Sequence, residues 1–211
     1  TSTGEKGRKI MKSAIGIMGG TFNPFHNGHL QLALQAYRQF ELSKVLVMPS
    51  GTPAHKSTKE LIAASHRCQM VSGAIADYPY LELSLFEVER KGNTYTSDTL
   101  KALHRQNPDL KIYFIIGADS LFDLPKWHEP EYVMQHCILL GANRDVHAKA
   151  ELAEQKRMLE KNYGAEIAFL KTPDMPYSST DIRKKLQAGE SVDGMLPKTV
   201  EKYIREHHLY Q

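Results

Sequence analysis

The apolar run Ala14-Ile15-Gly16-Ile17-Met18 leads straight into Gly19-Gly20, and a helical pattern opens a few residues later, near Gly28. A strand that ends in glycines and hands over to a helix is the first half of a β-α-β unit. Leu30, Leu32, Ala33, Leu34, Ala36 and Tyr37 give the helix of roughly 28 to 40 an apolar face, and Lys44-Val45-Leu46-Val47-Met48-Pro49 reads as the returning strand. Two strands joined by such a crossover are parallel, and the crossover is right-handed. This pairing rules out most all-β and all-α arrangements for the rest of the chain.

The alternation continues. A helix is expected over about 60 to 76, a half-exposed strand over Leu81 to Arg90, and a helix from about 96 to 106 with Thr96 or Ser97 as its N-cap. Lys111 to Gly117 is the most apolar run and reads as a central strand covered on both faces. A short helix at 119–124 should stop at Pro125, and Pro130 should open the next, ending near His136. Further strands are expected at 137–142 and 166–170, separated by an amphipathic helix over 147–162. The fold class is therefore α/β: an open, mainly parallel, Rossmann-like sheet with helices on both faces. Ser178-Ser179-Thr180-Asp181 starts a helix that ends at Gly189 and Pro197 opens another, so residues from about 175 to 211 form a small helical cap on a single domain of 13–211. Residues 1–12 are polar, lack a secretory h-region, and read as a loose lead-in, with Met11 as an internal candidate start.

Of the 211 residues, 27 are basic and 24 acidic, a net charge of +3, which is too balanced for a surface that coats nucleic acid. No apolar run approaches the roughly 20 residues of a membrane helix. Cys68 and Cys137 have no metal-ligand spacing and read as buried free thiols of a cytoplasmic protein. Oligomeric state is left open by the sequence, including self-association.

In open parallel sheets ligands bind beyond the carboxyl ends of the strands. Three loops fall there: Gly19 to His29, Gly51 to Lys56, and Gly117-Ala118-Asp119. His26 and His29 flank Gly28 at a helix start, so their imidazoles share a face at the positive end of the helix dipole and suit a phosphate. The glycines lack the G-x-G-x-x-G spacing of a dinucleotide fold and the Gly-Lys-Ser/Thr of a P-loop, and no third ligand completes a metal site with the histidines. Ser178, Ser179 and Thr180 can cap their helix, but Arg183 one turn on makes the same place a second anion site. Trp127, between Lys126 and His128, reads equally as a stacking platform or a core residue.

Taken together, Gly19-Gly20-Thr21-Phe22 with His26-x-Gly28-His29, and Ser178-Ser179-Thr180-x-Ile182-Arg183, resemble the two signatures of the nucleotidylyltransferase superfamily. Pro53-Ala54-His55-Lys56, Tyr95-Thr96, Gly117-x-Asp119 and Leu124-Pro125-Lys126-Trp127 are similar to the bacterial nicotinate mononucleotide adenylyltransferases within it. The resemblance implies transfer of an adenylyl group from ATP to nicotinate mononucleotide, giving deamido-NAD and pyrophosphate in NAD biosynthesis, with Mg²⁺ held mainly by the phosphates. It implies that Gly19, Gly20 and Thr21 approach the phosphates through the backbone while His26 and His29 hold them. Lys56, Ser178, Ser179, Thr180 and Arg183 would bind the triphosphate from the other side, and Asp119 and the backbone near Tyr177 the adenosine. The backbone of Tyr95 and Thr96 would take the nicotinate carboxylate, Trp127 would stack on the pyridine ring, and Arg144 would lie near the acceptor. Two residues depart from the family pattern: Asn23 stands where aspartate is usual, and Tyr177 where isoleucine is. An adenylyltransferase for another acceptor, such as nicotinamide mononucleotide or phosphopantetheine, and a nucleotide-binding regulator without turnover are the competing readings.

Overall fold

A computed structural model describes residues 13–51, 60–142 and 149–211. Lys56 and Arg144 lie outside the described residues. Six parallel strands, β1 (Ala14–Gly20), β2 (Lys44–Pro49), β3 (Leu81–Leu83), β4 (Lys111–Gly117), β5 (Ile138–Ala142) and β6 (Glu166–Leu170), form one sheet in the order β3-β2-β1-β4-β5-β6. This is the expected open α/β sheet. The helices are α1 (Asn27–Gln39), α2 (Ala64–Ile75), α3 (Phe86–Glu89), α4 (Thr96–Gln106), α5 (Ser120–Asp123), α6 (Pro130–His136), α7 (Lys149–Tyr163), α8 (Ser179–Gln187) and α9 (Lys198–Glu206).

Each central strand is apolar on both faces, because both are covered. Val45, Val47, Met18 and Ile115 pack with α1, α2, α8 and α9, whereas Ile15, Ile17, Leu46, Met48, Ile112, Phe114 and Ile116 pack with α4 to α7. The two-residue period of the strands sorts these side chains into separate cores. α9 packs against α2, so the C-terminal helices cover one face of the sheet. Among the described residues no helix is long and apolar enough to cross a membrane. Cys68 and Cys137 are buried free thiols, and burial pushes the Cys137 thiol up to about 12.

Three local expectations are corrected. Leu81 to Arg90 is not one strand: pairing with β2 covers only Leu81–Leu83, after which Ser84 donates its N–H to the Val47 carbonyl and Phe86–Glu89 turns into α3. The N-cap of α4 is Tyr95, not Thr96 or Ser97, and it makes no side-chain capping bond. Pro125 does not stop the turn after β4; a 3₁₀ turn carries the chain through Leu124–Lys126. Proline keeps its fixed φ there and needs no N–H in a first turn.

The chain runs outward from β1 to β3 on one side and from β4 to β6 on the other, so the order of connection reverses between β1 and β4. Their carboxyl ends diverge above that seam and leave a crevice.

Candidate active site

The loop between β1 and α1 is built by local physics. A Cβ on Gly20 would lie 2.8 Å from the Phe22 ring, so glycine lets that ring fold back under the strand end. Phe22 itself has a positive φ of 51°, and the Asn23–Pro24 peptide is cis. His26 caps α1: its Nδ1 accepts from the Gly28 and His29 N–H groups at 3.0 and 3.4 Å, and His29 Nδ1 accepts the His26 N–H at 3.1 Å. The two histidines thus make a reciprocal capping box, a task usually given to Ser or Thr with Glu or Gln. A neutral imidazole that accepts at Nδ1 carries its proton on Nε2, so the backbone selects the tautomer of both rings. The rings stack with centroids 3.7 Å apart, and His29 also stacks on Phe25.

This alters the expectation that both imidazoles face one anion. His26 is only 1% exposed and serves the helix start. His29 lines two adjoining cavities, one of 420 Å³ and one of 590 Å³. The smaller is also lined by Thr21, Phe22, Asn23, Glu60, Leu61, Ser179, Thr180 and Arg183. The two anion sites read from distant parts of the sequence are therefore brought face to face. Arg183 Nη1 donates to the Asn23 carbonyl at 2.8 Å and Nη2 to Thr180 Oγ1 at 3.3 Å, while Ser179 Oγ donates to the Pro24 carbonyl at 2.9 Å. Ser178 and Asp181 form the capping box of α8. Tyr177 packs edge-on against His26 at 5.4 Å and donates its hydroxyl to Met175 Sδ.

The larger cavity lies over the carboxyl ends of β1 and β4. Gly19, Gly20, Gly117, Asp119, Thr94, Thr96 and Trp127 line it. Trp127 is half-buried with its edge toward Phe114, centroids 6.4 Å apart, so it joins the core at one side and the cavity at the other. Tyr95 is exposed, stacked on His128 at 4.1 Å. Because no side chain caps α4, its first backbone donors are left to whatever enters beside Thr96.

Two residues were not singled out by sequence, and a third was noted only as a departure. Glu87 lines the larger cavity from α3; burial raises its carboxyl above the usual range, while Thr99 Oγ1, donating at 3.3 Å, and Arg90 pull the other way. Its assignment to a strand hid it. Arg67 is a fully buried cation on an otherwise apolar helix face, an anomaly that was readable. Asn23, noted only as a departure, is a junction. Its Nδ2 donates to the Glu60 carbonyl at 2.6 Å, and its Oδ1 accepts the Ile62 N–H at 3.2 Å and the Tyr210 hydroxyl at 2.6 Å. An ionised aspartate could not make the first of these bonds.

Among the described residues no three His, Cys, Asp or Glu side chains converge on a metal position. The hydroxyls, imidazole and guanidinium lining the smaller cavity suit an anion, whereas the Glu60 carboxylate opposes it.

A cytidylyltransferase-like family model matches residues 17–185. A protein of Lachnoclostridium phytofermentans named a probable nicotinate-nucleotide adenylyltransferase is 43% identical over 196 residues, covering 93% of this chain and 98% of its own length. A protein of the same name from Synechococcus is 41% identical over 196 residues, covering 93% and 94%. The fold is similar to that of Plasmodium falciparum nicotinic acid mononucleotide adenylyltransferase, solved in complex with NaAD (TM-score 0.76, 21% identity, covering 94% of this chain and 97% of that one). The chain belongs to the cytidylyltransferase-like family and, within it, to the nicotinate-nucleotide adenylyltransferases.

Proposed function

We propose that this protein transfers the adenylyl group of ATP to nicotinate mononucleotide, giving nicotinate adenine dinucleotide and pyrophosphate. The observation that carries the reading is the pair of adjoining cavities that share His29 and Phe22. The smaller, rich in donors, takes the polyphosphate, and the larger takes the acceptor nucleotide and, beside Asp119, the adenosine. An acceptor 5′-phosphate lying in the second would meet the α-phosphorus of ATP at their junction. Its oxygen attacks in line, the bond from the α-phosphorus to the bridging oxygen breaks, and pyrophosphate leaves with that oxygen. No covalent enzyme intermediate is needed.

The residues act by position and charge. His29, its tautomer held by the His26 N–H, donates from Nε2 to the phosphate at the junction. Arg183, braced on the Asn23 carbonyl, and the hydroxyls of Ser179 and Thr180 hold the phosphates that depart, and Ser178 holds the helix start that carries them; the family resemblance gives Lys56 a triphosphate-binding role as well. Gly19, Gly20 and Thr21 admit the phosphates to the backbone, and His26 acts by fixing the loop. Asp119 and the backbone at Tyr177 face the adenosine. Mg²⁺, a hard cation that favours phosphate oxygen and water, would be held mainly by the triphosphate and would offset part of its charge.

The backbone N–H groups at Tyr95 and Thr96, at the uncapped start of α4, receive the nicotinate carboxylate, with Trp127 against the pyridine ring; the family resemblance gives Arg144 an acceptor-binding role. A carboxylamide would turn its own NH₂ toward those donors. Pyrophosphate release with ATP, Mg²⁺ and a panel of acceptors tests this. Nicotinate mononucleotide is expected to exceed nicotinamide mononucleotide by about 10- to 150-fold in kcat/KM, the equivalent of about 1.5–3 kcal/mol for charge-assisted hydrogen bonds. Equal use of the two overturns the acceptor assignment, and no release with any acceptor favours a regulator.

Trp127→Ala is expected to raise KM for the acceptor about 10-fold, in line with roughly 1–3 kcal/mol for stacking a ring on an aromatic side chain. KM for ATP should stay unchanged. Equal rises in both would return Trp127 to a purely core role.

A further inference from the structure

Arg67 sits on α2 among buried Cys68, Met70, Val71, Ala74 and Ile75, and is itself 0% exposed. Its electrostatic neighbours are Cys68 and Tyr210 rather than a carboxylate, and burial lowers its pKa. Nε donates to the Ile62 carbonyl at 2.9 Å, and Nη1 to the carbonyls of Thr21 at 2.9 Å and Ser50 at 2.8 Å. Nη2 has no partner among the described residues. Burying a guanidinium without a counter-charge is costly, and an apolar side chain would suit the helix face better. The cost has a local use.

The three carbonyls belong to three different segments: the loop after β1, the residue just beyond β2, and the stretch leading into α2. One side chain therefore fastens together the segments that border the smaller cavity. Other bonds reinforce the same joint, Ser50 N–H to the Gly20 carbonyl at 2.8 Å and Asn23 to Glu60 and Ile62. In a trans peptide the C=O and N–H point in opposite directions. Holding the Thr21 carbonyl on the buried guanidinium thus turns the Phe22 N–H away from the core, on the side where Thr21 and Phe22 line the cavity. Phe22, at φ 51°, is in the left-handed region, which a bulky L-residue keeps only when its surroundings enforce it. A loop residue in the left-handed region is one element of the backbone geometry from which anion-binding nests are made.

We propose that Arg67 is a positioning residue for adenylyl transfer: it clips the loop after β1 to its two neighbours so that the Thr21–Phe22 peptide presents its N–H to a phosphate. It also places a positive charge directly behind that N–H. The proposal rests on the reading of the smaller cavity as the triphosphate site.

The test compares wild type with Arg67→Met, Arg67→Lys and, as a core control, Leu159→Ala, a fully buried position on α7 across the sheet. All are assayed where circular dichroism shows them folded. Arg67→Met is expected to lower kcat/KM for ATP about 100-fold and Arg67→Lys about 10-fold, as small misplacement of reacting groups does, with KM for the acceptor unchanged. Leu159→Ala should stay within about twofold of wild type, being remote from the site. In a further variant, Arg67→Ala, which leaves room for the missing group, added guanidinium ion should restore part of the rate, and it should restore none of that of Leu159→Ala. Should Arg67→Met fail to fold, Arg67→Lys and the rescue decide. Rates for the Arg67 variants that match Leu159→Ala overturn the proposal. If wild type turns over no acceptor, the functional reading fails, and calorimetric binding of inorganic triphosphate still tests the cradle: a dissociation constant in Arg67→Lys equal to wild type overturns it.

Discussion

Replacing His29 with alanine is expected to lower kcat/KM for ATP by about 10³-fold, the range seen when one preorganised donor to developing charge is removed. The same change deletes the acceptor of the His26 N–H, so about 1 kcal/mol of stability, or roughly 2–4 °C in Tm, should go with it. The two losses separate in a second variant. Glutamine is the ordinary third-position partner of a capping box, and its short amide can take the His26 N–H without placing a donor where Nε2 stands. His29→Gln should recover most of the lost Tm and little of the lost rate. If rate and Tm return together, the histidine serves the helix and not the phosphate.

Arg183→Ala should cost about 10²- to 10³-fold in kcat/KM for ATP, with Arg183→Lys closer to the alanine variant than to wild type. The expectation comes from geometry. One arm of the guanidinium is spent on the Asn23 carbonyl and the other on Thr180 Oγ1, which fixes the plane of the fork at the cavity wall. An ammonium can keep the charge but not the plane. Steady-state kinetics with varied ATP decide it; a lysine variant as fast as wild type would reduce the role of Arg183 to bulk attraction, and the rate should then fall steeply with ionic strength.

The parts of this fold that were legible are those in which neighbours in sequence are neighbours in space. The β1 run, its glycines and the helix pattern after it state their own structure, and the period of Lys111 to Gly117 marks a strand covered twice. The start of α8 was also readable, because Ser178 and Asp181 cap each other locally. What escaped depended on distant partners. Leu81 to Arg90 alternates well enough for a strand, but only Leu81–Leu83 find β2 beside them, and Glu87 is turned into the larger cavity instead. Tyr95 gave no capping signal, since the α4 start is left open on the cavity side. For Asn23 and Arg67 the sequence does not name the distant partners: Asn23 meets residues 60, 62 and 210, and Arg67, besides nearby Ile62, reaches back to 50 and 21. The histidine pair was found for its chemistry, while its second task, closing the end of its own helix, emerged only from the distances.

The hydroxyl of Tyr210 rests on Asn23, 187 residues earlier in the chain. A ribosome releases the loop that carries Asn23 long before the residue that steadies it. The loop therefore cannot acquire its full set of contacts while the nascent chain is shorter than that span. A shortened chain that keeps the sheet but lacks Tyr210 should therefore hold this loop less firmly than one that retains it.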